Sequence, residues 1–164
     1  MPLKLNTYLC EVNNIHFTKS TIKNNKEKAV FEEYLSFNAV DYATIINNQM
    51  LIVINAFNKN TYVPKRLKNR KLPLEISKSY TDIDSVTVKL PPNFKIDYLP
   101  QKVEIKNNFG MYMMNFEKVD ETHYLYSRKL EMIKGQFPKE MYDAYRKFRQ
   151  QIRKYDNTKI ILTK

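Results

Sequence analysis

Few side chains in this sequence could do covalent chemistry. Cys10 is the single cysteine, and it would act as a nucleophile only as a thiolate beside one of the two histidines, His16 or His123. Cys10 and His16 fall on one expected strand, six residues apart. That spacing puts them on the same face but about 20 Å apart, out of hydrogen-bonding reach. His123 opens a strand just after a polar turn, where a solvated histidine is the ordinary finding. No catalytic residue is assigned, and the chain is read as a non-enzyme. Metal chemistry fares no better, because two distant histidines and scattered carboxylates match no ligand spacing. "TDIDS" at 81–85 resembles the start of a calcium loop, but no glycine or terminal glutamate follows at the required distance. It reads as a polar turn leading into a strand. With only two glycines there is no phosphate-cradling loop either, and no cofactor is expected.

The basic residues carry the strongest signal. The formal net charge is +11, and "VPKRLKNRKLP" at 63–73 packs Lys65, Arg66, Lys68, Arg70 and Lys71 together with no acid among them. A second group, Arg146, Arg149 and Arg153, lies on the polar side of an expected helix. These eight residues are the candidate polyanion site, for nucleic acid or an anionic envelope glycan or lipid. Helical spacing turns the interleaved Tyr142, Tyr145, Phe148 and Tyr155 inward, however. The charges are then left without stacking platforms, which weighs against nucleic acid.

The elements that must position these residues can be read from periodicity. A chain of 164 residues corresponds to about one domain, and 43% apolar content with 12 Tyr and 9 Phe predicts a packed core in spite of the charge. "AVFEEYLSFNA" alternates Phe31, Leu35, Phe37 and Ala39 against polar residues, and "DSVTVKLP" repeats this with Val86, Val88 and Leu90. "MLIVI" at 50–54 is apolar throughout, as in a strand covered on both faces, and is far shorter than the roughly 20 residues of a membrane span. The N-terminus has no apolar core of signal-peptide length, so the chain as written is expected to be soluble. "KVEIK", "MYMMNFE" and "HYLYSRKLEMI" form a meander. Asparagine, with 17 copies, substitutes for the scarce glycine in turns, and doublets at 13/14, 24/25, 47/48 and 107/108 mark loops. From Pro138, the residues Met141, Tyr145, Phe148, Ile152 and Tyr155 form one apolar stripe, predicting a helix over about 138–154 before a closing strand at about 158–163. The fold class is therefore mainly β: an antiparallel β-sandwich with one C-terminal amphipathic helix packed on a sheet, spanning residues 1–164 as a single domain.

Several short motifs resemble a known family when taken in order. They are "YVPKRLKNRKLP", "YTDIDSVTVKLPPNFKIDYLP", "NNFGMY" and "YSRKLEMIKGQFPKEMYDAYRKFRQQIRKYDNTKIIL". Together they resemble the C-terminal domain of unknown function in large exported bacterial proteins with a transglutaminase-like, peptidase-type core. The similarity runs from about residue 28 to the end. In that family the catalytic Cys, His and Asp lie upstream of this region, so no catalytic residue carries over and Cys10 matches none of them. The resemblance implies a detached C-terminal piece or a free-standing relative, with a non-catalytic accessory role. Its partner would be an upstream transglutaminase-like domain or an envelope component, in a parent located in the periplasm or cell envelope. It also implies that Pro64, Arg66, Arg70 and Pro73 belong to a connector leading into the "SVTVKLP" strand.

Overall fold

The computed structural model describes Val12 and residues 14–164. Cys10 lies outside the described residues. The fold is mainly β, and among the described residues all sheets are antiparallel and none closes into a barrel. Length alone suggests one domain, whereas the contacts fall into two compact units, Met1–Thr44 and Ile45–Lys164.

The first unit contains a hairpin of β1 (Ile15–Asn25) and β2 (Val30–Ala39). Leu35, Phe37 and Ala39 are half-buried, as their alternation predicts, and Phe17 meets Phe37 edge-on with ring centroids 5.9 Å apart. Phe31 departs from the expected pattern and is 60% exposed. It pairs across the ribbon with the polar Asn24, near the tip.

The second unit holds two four-stranded sheets and a short ribbon. One sheet runs β6 (Tyr80–Lys89), β10 (His123–Met132), β9 (Gly110–Lys118), β8 (Val103–Asn107). The other runs β3 (Thr44–Ile46), β4 (Gln49–Val53), β12 (Lys159–Thr163), β7 (Lys95–Tyr98), and β5 (Leu74–Ile76) pairs with β11 (Gly135–Phe137). The meander read from the sequence is thus β8–β9–β10, and the closing strand lies between β4 and β7, with Ile160 and Leu162 wholly buried.

A single 3-10 turn at Lys139–Met141 follows Pro138 and leads into the helix α1 (Tyr142–Asp156). Phe148 and Ile152 are buried, while Met141, Tyr145 and Tyr155 pack against the same core, which both sheets share. Tyr145 meets Phe109 edge-on at 5.3 Å, and Tyr155 stacks on Tyr112 at 6.1 Å. The helix therefore packs on the β6-β10-β9-β8 sheet. Among the described residues, no helix is long and apolar enough to cross a membrane.

The asparagine doublets serve turns by two mechanisms, with Asn13 outside the described residues. Asn14 and Asn47 adopt positive φ, whereas the side chains of Asn25 and Asn107 accept from the backbone N–H of Lys28 and Phe109. The second mechanism leaves a left-handed position to other residues, Ala29 in one turn and Gly110 in the other. At Gly110, with φ +148°, an added Cβ would lie 1.8 Å from the Glu131 carbonyl oxygen, so this position requires glycine.

Two sequence expectations are corrected. Residues 81–85 are not a turn but lie inside β6, where Asp82 and Asp84 share the inward face with Val86 and Val88 while Ile83 is 72% exposed. The polarity of the strand is inverted there because Arg128 stands opposite Asp84 on β10. Likewise the helix does not end at about 154 but runs on to Asp156, which is fully buried.

Candidate functional site

Arg128, Asp84 and Asp156 form the buried charged centre of the second unit. Arg128 is driven inward by the period of β10, since Tyr126, Leu130 and Met132 occupy the same buried face. Its Nε and Nη2 donate to the two oxygens of Asp156 at 2.7 and 3.0 Å, and Nη1 donates to Asp84 at 2.7 Å. The Tyr112 hydroxyl donates to Asp156 Oδ1 at 2.9 Å and the Asn60 backbone N–H to Oδ2 at 2.7 Å. Each Asp156 oxygen thus accepts two hydrogen bonds, which fills its capacity. The Asn58 amide closes the ring by donating to Asp84 at 3.1 Å. Burial opposes the charge on Arg128, but its bonds to Asp156 and Asp84 outweigh this and hold the guanidinium above its ordinary range. Burial, then the Asp156 charge, pushes up the Tyr112 phenol, which remains a donor.

Asp82 stands beside this ring. Burial holds its carboxyl above the usual carboxylate range, with Arg128 pulling down and Asp84 and Asp156 pushing up. A carboxyl with a raised folded-state pKa disfavours the fold once it is ionised, and this cost disappears as pH falls through that pKa. Asp82→Asn is therefore expected to raise the melting temperature at pH 7. The advantage over the parent should shrink as pH falls toward the ordinary aspartate range, as followed by circular dichroism.

The polar side of α1 carries out a second task. Tyr142, Arg146 and Arg149 recur at helical spacing and grip the backbone of the connector in reverse order. The Tyr142 hydroxyl donates to the Lys65 carbonyl at 2.7 Å, Arg146 Nε to Pro64 at 3.0 Å, and Arg149 Nε to Tyr62 at 3.2 Å. Asp156, one turn and more beyond, holds the Asn60 N–H. The helix satisfies the carbonyls of an irregular segment that has no ladder of its own.

The expected basic ridge is accordingly dispersed. Arg149, read from the sequence as solvent-facing, is buried, with further contacts to Tyr80 and Asn60. Arg70 stacks 4.4 Å from the Tyr142 ring centroid and donates to the Pro73 carbonyl at 2.9 Å. Arg66, Lys68 and Lys71 are exposed along the loop. Lys65, Arg146 and Arg153 do come together, with Lys154, around an open groove of about 720 Å³. Arg149→Ala is expected to cost about 2 to 3 kcal/mol in urea unfolding, as for lost hydrogen bonds from a buried charge, rather than the few tenths of a surface change.

The two histidines fall in different units. His16 lies exposed on β1, and His123 caps a turn, with Nδ1 2.9 Å from Asp120. The backbone N–H of Thr122 and the His123 ring hold the Asp120 carboxyl well below the usual range. Among the described residues no three His, Cys, Asp or Glu side chains gather as a metal site.

The sequence pattern of a domain of unknown function with a solved structure, DUF3858, matches residues 48–162. The chain belongs to the DUF3858 family. The DUF3858 segment takes in the Arg128 ring, the connector and α1 entire, and leaves the β1–β2 hairpin outside. No curated protein and no solved structure matches the chain. Within the DUF3858 segment, sequence reasoning missed Asp84 and Asp156 as partners of Arg128, and Asn58, Tyr112 and Asn60 as the donors to those two carboxylates. The available signals were an arginine on an apolar strand face and two acids flanking Ile83, in antiparallel strands.

Proposed function

We propose that this DUF3858 chain is a non-catalytic accessory domain of an exported, transglutaminase-like bacterial protein, where it supports or positions a catalytic core or docks an envelope partner. The observation that carries this reading is the use made of the reactive-looking groups. Arg128, Asp84, Asp156, Tyr112 and Arg149 are directed at one another and at the domain's own connector, in hydrogen bonds that hold the fold. A general acid or base must instead reach a substrate proton. The transglutaminase-like context rests on the ordered motifs from "YVPKRLKNRKLP" to the closing strand, and it places the parent in the periplasm or cell envelope.

The full chain is expected to show no thiol-dependent hydrolysis or transamidation above background with peptide and acyl-donor substrates. Activity that disappears in Cys10→Ala would refute the accessory reading. Sequencing upstream of Met1 in the same reading frame addresses the parentage, since a transglutaminase-like core is expected there.

A further inference from the structure

The groove between the connector and α1 has four cations on its walls, Lys65, Arg146, Arg153 and Lys154, and no carboxylate. Cations in the last helical turn complement the dipole, which accounts for Arg153 and Lys154. Lys65 on the opposite bank and Arg146 in the first half of α1 have no such explanation. Arg146 is also preorganised: its Nε is bonded to Pro64, which leaves its two terminal nitrogens without a bond to any described residue and little side-chain freedom to lose on binding. From Arg146 to Lys154 the helix advances about 12 Å, the reach of roughly four residues of extended peptide.

The remaining lining favours a peptide over other anions. Thr61, Gln150 and Asn157 add polar groups that both donate and accept. Asn157 spends its Nδ2 on the Arg153 carbonyl at 2.7 Å, and so offers its Oδ1 as an acceptor. A peptide N–H can use that acceptor, whereas a phosphodiester has no donor to give it. No aromatic residue lines the groove, so nucleobases find no stacking platform.

We propose that this groove binds an extended acidic segment of a partner protein, with carboxylates on Lys65, Arg146, Arg153 and Lys154 and backbone amides on Asn157 and Gln150. The proposal rests on the accessory reading and names the chemistry of its partner. The test uses the full chain with a short labelled peptide of alternating Glu and Ser, an oligothymidylate of equal length, and vesicles of phosphatidylglycerol and phosphatidylcholine. Saturable peptide binding at near-physiological salt is expected. It should weaken at least about tenfold in the double variant Lys65→Glu, Arg153→Glu, and no more than about twofold in Lys68→Glu, Lys71→Glu, which makes the same change in net charge away from the groove. All four positions are exposed, and unchanged melting temperatures confirm that both variants fold. Absent saturation, equal losses in the two variants, or tighter binding to oligothymidylate or vesicles would each overturn the proposal. Mass spectrometry of the bound peptide separates the two readings: an intact peptide agrees with both, while a cleaved or transamidated one refutes the non-catalytic role and leaves the groove to be decided by the variants.

Discussion

Asp156→Ala is expected to lower the unfolding free energy by about 3 to 5 kcal/mol, the penalty for breaking a buried ion pair by removing one partner. Three groups lose their acceptor at once. Arg128, whose side chain has no exposure, would keep only Asp84. The Tyr112 hydroxyl and the Asn60 N–H would also be left without the carboxylate that accepts from them. Because Arg128 stays charged through the accessible pH range, it cannot escape by deprotonating. Asp156→Asn restores the shape and one acceptor oxygen, and should recover part of the loss. Urea unfolding followed by circular dichroism measures both. A loss under about 1 kcal/mol for the alanine variant would show that Arg128 finds water or another acceptor.

Phe148→Ala should cost a similar amount, about 3 to 5 kcal/mol, for a different reason. The ring is 1% exposed in the core shared by both sheets. Removing it forfeits the transfer free energy and leaves a cavity that the sheet cannot collapse to fill. Arg153→Ala, on the exposed side of the same helix, provides the contrast and should stay within about 0.5 kcal/mol. Equal effects would mean that α1 is rotated from the orientation described.

Period and stripe made the architecture legible. The apolar stripe of Met141, Tyr145, Phe148, Ile152 and Tyr155 located α1, and the alternation of Val86 and Val88 located β6, because those signals arise from local burial on one core. The charged ring was not legible for the opposite reason. Whether Arg149 or Asp156 faces water depends on partners far away in sequence, Tyr62 and Arg128, and a polar residue on a helix reads as exposed until such a partner is known. The same holds for Asp82 and Asp84, which look like turn residues unless Arg128 is known to lie across the sheet. Charge density along the chain does not tell which cations point outward. Of the residues proposed, Lys65, Arg146 and Arg153 share the groove, while Arg70 and Arg149 are engaged in holding the connector.

The central claim is that the polar side of α1 serves the domain's own connector, and the amide of Asn60 tests it most directly. In the structure this N–H sits in an irregular segment with no strand partner and donates to the buried Asp156. Native-state hydrogen exchange by NMR should find it protected nearly as well as the Ile160 and Leu162 amides of β12, opening only with the core. In Arg149→Ala its exchange should accelerate well beyond that of the β12 amides, because the neighbouring grip on Tyr62 is lost. Free, loop-like exchange of the Asn60 amide in the unaltered protein would contradict the account.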